Sequence, residues 1–92
     1  MKKKLLININ QDPRKSDKPL EGLRIATSLV TANIPVTVNM SKYNDLVDKN
    51  RYEEVNNGLL FFQYLQVLQE YNCLELNIRD IKKDSNLIIL NF

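Results

Sequence analysis

The chain has no histidine and no tryptophan, one cysteine, Cys73, and only two glycines, Gly22 and Gly58, among its 92 residues. Each scarcity removes a class of chemistry. Without histidine there is no imidazole to act as a general base near neutral pH. With a single cysteine there is neither an intrachain disulfide nor a Cys/His zinc site. Two isolated glycines do not make the turn that lets backbone approach a nucleotide phosphate, so Rossmann and P-loop fingerprints are absent. Long apolar runs are missing too. Behind the basic start Met1-Lys2-Lys3-Lys4, Asn8 and Asn10 interrupt an apolar stretch far shorter than a signal peptide or a membrane span. The expectation is a cytoplasmic chain without a membrane partner.

What is present is the balance of an ordinary globular domain, with 43% hydrophobic and 26% charged residues. The length suits one domain over residues 1–92. The net charge of +2 is unevenly placed: residues 1–24 hold seven basic and three acidic groups, and residues 25–92 hold six and eight. The excess gathers around "NQDPRKSDKPLEGLRIA", Asn10 to Ala26. A pI near 8.7 and scattered arginines fall short of a nucleic-acid footprint, so nucleic acid is not expected as a partner.

The apolar run Leu5, Leu6, Ile7 and Ile9, closed by the turn signal Asp12-Pro13, predicts a strand covered on both faces. Ser16 or Asp17 then caps a helix that tolerates Pro19 in its first turn and repeats apolar residues at Leu20, Leu23, Ala26, Leu29 and Val30, ending near Ala32-Asn33. Val36, Val38 and Met40 alternate with Thr37 and Asn39 in a second strand with one covered face. Strand, helix and strand in this order form a βαβ unit, whose strands run parallel.

Residues 41–58 are polar and predict a long loop with one or two helical turns. From Leu59 to Tyr71 a helix is expected, with a narrow polar stripe of Gln63, Gln66, Gln69 and Glu70. Its apolar arc is wider than one sheet face requires, which points to burial against a second subunit and a homo-oligomer. Leu74, Leu76 and Ile78 alternate as a third strand, and Leu87 to Leu90 form a continuous apolar fourth. The join between them is short for a crossover helix, so either a single helical turn carries the chain across or the last strand is antiparallel.

"KKLLININQDPRKSDKPLEGLRIATSLVTANIPVTVNM" resembles the first part of the small DsrE-like proteins, which include sulfur-relay subunits of the DsrEFH and TusBCD type; the likeness lies in the polar loop after the strand, "LRIATSL" and "NIPVTVNM". "FFQYLQVLQEYNCLELNI" is similar to that family's second helix and third strand, and the segments together span about two thirds of the chain. The resemblance implies a three-layer α/β fold: an open, mainly parallel sheet of about four strands, the last beside the first, with helices on both faces. It also implies assembly into homo-oligomers or with related DsrE-like subunits. In the sulfur-carrying members a cysteine in the loop after the third strand bears a persulfide. The matching positions here, near Ile78, Arg79 and Asp80, hold none.

Cys73 stands earlier, at the helix-to-strand turn between Glu70 and Glu75, where neither a helix N-terminus nor a nearby cation lowers its pKa. It is a weak catalytic candidate, and a small half-buried side chain accounts for it. Parallel sheets collect ligands beyond the carboxyl ends of their strands. The residues expected there are Asn10, Asp12, Arg14, Lys15 and Ser16 after the first strand, Tyr43 after the second and Arg79 after the third. The basic loop and the helix start suit a small anion, whereas a solvated turn explains the same charges. Asp12 and Asp80 lack the further acidic residue and the lysine that a receiver site needs, and neither metal nor cofactor is implied. The leading expectation is a non-catalytic binding or assembly subunit related to sulfur-relay proteins. The alternatives are a sulfur carrier using Cys73 and an anion- or nucleotide-sensing module using the first loop.

Overall fold

The apolar stretch behind the lysines becomes β1 (Lys4–Asn8), and the alternating stretch after Pro35 becomes β2 (Val36–Asn39). They pair in parallel, Leu5 against Val36 and Ile7 against Val38. The computed structural model describes residues 4–78 and 86–92. Within them the connection between the two strands is α1 (Lys18–Thr31), and α2 (Gly58–Glu70) leads into β3 (Leu74–Glu75). The last strand, β4 (Leu87–Asn91), lies beside β1. The protein is an α/β fold, and among the described residues its open sheet has four strands in the order β3-β2-β1-β4, all parallel. The two directions left open for the last strand resolve to the parallel one.

One sheet face carries Leu5, Ile7 and Ile9 of the first strand's stretch and Val36, Val38 and Met40 of the second. These residues join Leu23, Ala26 and Val30 of α1 and Phe61, Leu65 and Leu68 of α2 in a single core. Burying each of the larger aliphatic and aromatic side chains contributes roughly 1.5–3 kcal/mol. Both helices therefore lie over this face, as a right-handed path from β1 through β2 to β3 requires. A helix over the opposite face, part of the three-layer expectation, falls to the connection between β3 and β4, whose residues 79–85 lie outside the described residues.

α1 and α2 end alike. After α1, Asn33 takes a left-handed φ of 62°, its N–H donates to Val30 O (3.0 Å) and that of Ile34 donates to Leu29 O (2.9 Å). After α2, Asn72 has φ 55°, its N–H donates to Gln69 O (3.0 Å) and that of Cys73 donates to Leu68 O (3.2 Å). Both are Schellman stops, and asparagine tolerates the left-handed position better than most residues do. At the other end of the chain the lack of a side chain at Gly22 lets the Phe92 ring sit on α1: a Cβ there would lie 2.9 Å from Phe92 Cγ.

The polar middle is more regular than a loop. It forms two 3-10 segments, Ser41–Val47 and Lys49–Glu54, anchored by buried Leu46 and Val55. Arg51 joins them by donating to Asp45 (2.9 Å) and, through two nitrogens, to Glu54 (2.7 and 2.9 Å). β3 is shorter than the alternation of Leu74, Leu76 and Ile78 predicts. Past Glu75, side chains hold the strand instead: Asn44 donates to Leu76 O (3.1 Å), and Ile78 N–H donates to Ser41 Oγ (2.7 Å).

The wide apolar arc of α2 is largely absorbed by the core. Phe61, Leu65 and Leu68 are buried and Phe62, Tyr64 and Val67 pack partly against them, leaving Leu59 and Leu60 exposed at the helix start.

Candidate functional site

Each of three strands ends its apolar run on asparagine: "LLIN", "VTVN" and "IILN". Parallel pairing places Asn8 opposite both Asn39 and Asn91, so the three amides form a row across the carboxyl ends of β2, β1 and β4. Asn39 Nδ2 donates to Asn8 Oδ1 (2.9 Å), and Asn8 Nδ2 donates to Asn91 Oδ1 (3.2 Å). Asn10 Nδ2 adds a second hydrogen bond to Asn91 Oδ1 (2.8 Å), while Ser41 N–H donates to Asn39 Oδ1 (3.0 Å). Asn39 is buried, and its amide has partners on both sides, as a buried polar group requires. None of these three asparagines is among the residues expected at the site; Asn10, which donates to the row, is. The repeated terminal asparagine was the available signal, and its meaning depends on the register that sets the three opposite each other.

The expected site residues divide into two groups. Asn10 and Tyr43 meet: the Tyr43 hydroxyl donates to Asn10 O at 3.3 Å, and Lys42 Nζ donates to the same carbonyl at 3.3 Å. Lys42 also lies 5.9 Å from the Tyr43 ring centre, within cation–π range. Asp12 and Arg14 form the second group. The guanidinium donates from Nε to Asp12 Oδ1 (2.9 Å) and from Nη2 to Oδ2 (3.0 Å), and the Arg14 N–H donates to Oδ1 (3.0 Å). These hydrogen bonds hold the Asp12 carboxyl below its usual range and raise Arg14. The pair is internally neutral, and Nη1 of the exposed Arg14 guanidinium takes no part in it.

Ser16 is held within its own loop. Its hydroxyl donates to Gln11 Oε1 (2.6 Å) and accepts from Lys18 N–H (3.1 Å), while Asp17, at the helix N-cap, makes no capping hydrogen bond. Lys15 is exposed. Arg79 and Asp80 lie outside the described residues. The polar middle segment folds against this edge, since Asn56 N–H donates to Pro13 O (3.2 Å) in addition to the Lys42 and Tyr43 contacts. Among the described residues no group of three or more acidic or cysteine side chains is placed to hold a metal ion, and no helix is long and apolar enough to cross a membrane.

Cys73 belongs to the opposite edge. It borders an open cleft of about 710 Å³ near the amino ends of β1 and β2, with Leu5, Val30, Ile34, Val36 and Tyr71 among its walls. The thiol turns inward, 8% of the residue is exposed, and Sγ–H donates to Leu68 O at 3.3 Å. Burial pushes the thiol above its ordinary pKa. As the residue just beyond the left-handed Asn72, Cys73 completes the helix stop. No protein-family model matches the chain, and no curated protein or solved structure matches it either.

Proposed function

We propose that this chain is a cytoplasmic, non-catalytic binding or assembly subunit of the DsrE-like kind. The observation that carries the reading is the state of Cys73. A sulfur-carrying thiol must be accessible and readily ionised, whereas this one is buried, raised in pKa and directed at the Leu68 carbonyl. The parallel sheet with its last strand beside the first agrees with the topology that the resemblance implies. At the carboxyl edge the hydrogen bonds run between protein groups, Arg14 to Asp12 and asparagine to asparagine, which suits a rigid surface more than a reaction centre.

Mass spectrometry after incubation with polysulfide tests this, combined with the alkylation rate of Cys73 in buffer and in urea. The expected result is an unchanged native mass and alkylation that becomes fast only on unfolding. Addition of a sulfur atom to native Cys73 would establish the carrier reading in its place.

A further inference from the structure

Among the described residues β4 forms one edge of the sheet, and its hydrogen-bond ladder determines which groups face outward. Lys4 N–H donates to Asn86 O (2.7 Å), and Phe92 N–H donates to Asn8 O (2.9 Å). Backbone groups alternate along a parallel strand, so Ile88 and Leu90 face β1. The N–H and C=O groups of Leu87, Ile89 and Asn91 then point away from the sheet, with no partner among the described residues. Such an edge normally carries a lysine, a proline or a bulge that prevents pairing. β4 has none of these, and its Ile88 and Leu90 side chains are 41% and 36% exposed.

We propose that β4 pairs with β4 of a second copy of this chain, antiparallel and centred on Ile89, to make one continuous sheet through both subunits. This rests on the assembly reading above and names its partner and surface. The outward groups fit this register: Ile89 exchanges two hydrogen bonds with the partner's Ile89, and Leu87 does so with the partner's Asn91. The intervening pairs are non-hydrogen-bonded, where side chains approach most closely. They set Ile88 against the partner's Leu90, covering the two exposed apolar positions of the strand. Charge agrees as well, because Leu87 to Asn91 contains no ionisable side chain and self-pairing brings no like charges together. The other edge, β3, is two residues long and includes Glu75, so it offers no comparable seam. A strand of five residues covers less than the ~800 Å² per partner of a standard interface. The dimer therefore depends on concentration.

Light scattering from micromolar to millimolar protein should show the mass rising from monomer to dimer. Hydrogen exchange over the same series should show the amides of Leu87, Ile89 and Asn91 gaining protection together. Ile88→Lys with Leu90→Lys places like charges opposite each other and should abolish the dimer. Ile88→Glu with Leu90→Lys places opposite charges there and should restore a dimer that salt weakens. A dimer whose Leu87, Ile89 and Asn91 amides stay unprotected overturns edge pairing while leaving the assembly reading in place. A wild-type monomer at every concentration also overturns it, and the Cys73 measurement then decides the non-catalytic reading separately.

Discussion

Gly58→Ala gives the sharpest test of how the polar middle joins the core. Gly58 opens α2 directly after Asn57, whose left-handed φ of 53° turns the chain into the helix. A Cβ on Gly58 would overlap Tyr52 O and stand 2.7 Å from Tyr52 C. The obstruction is backbone, so no rotamer change relieves it. The same Tyr52 carbonyl accepts the Val55 N–H at 3.2 Å and closes the second 3-10 segment. Moving it disturbs that hydrogen bond and the anchoring of buried Val55. Overpacking of this kind costs about 3 kcal/mol at the upper end of its usual range. Alanine's better helix propensity offsets at most about 1 kcal/mol of that. The net expectation is a loss of about 2 kcal/mol, which for a domain of this size lowers Tm by roughly 8–16 °C. Thermal and urea unfolding measure the loss, and hydrogen exchange at Val55 locates it. A variant as stable as wild type, or more stable, refutes the reasoning, because it would mean that the junction yields freely.

The remaining predictions concern the carboxyl edge. Asn39→Ala removes the donor to Asn8 and the acceptor for Ser41 N–H, and should destabilise by about 2 kcal/mol in urea titration; a change below about 0.5 kcal/mol would show that the amide row contributes little. Asp12 and Glu54 both have folded-state pKa values lowered by arginine hydrogen bonds, from reference values of 3.8 and 4.5. Their contributions are complete above those reference values and disappear as the pH falls through the lowered folded values. Asp12→Asn with Glu54→Gln should therefore flatten the fall in Tm below about pH 4.5, and an equally steep fall in the double variant would assign the acid response to other carboxyl groups.

Much of the architecture was legible in the sequence because its signals are local. Apolar period located β1, α1, β2 and α2, and the expected stop near Ala32-Asn33 falls just past the end of α1 at Thr31, where Asn33 takes the left-handed position. The candidate edge was legible only as a set of residue types. That Asn10 meets Tyr43 follows from how the middle segment folds back on the first loop. The neutralisation of Arg14 depends on a side-chain geometry in the turn that composition does not specify.

By itself, then, the sequence determined that the chain builds a βαβ unit, that it lacks histidine chemistry and that its single cysteine stands at a helix stop. Tertiary structure decided the parallel direction of β4, the brevity of β3, the asparagine row and the inward turn of Cys73. The division has one physical reason. Periodicity and caps are properties of neighbouring residues, whereas strand direction, cross-strand register and the partner of a side chain depend on which distant segment packs beside it.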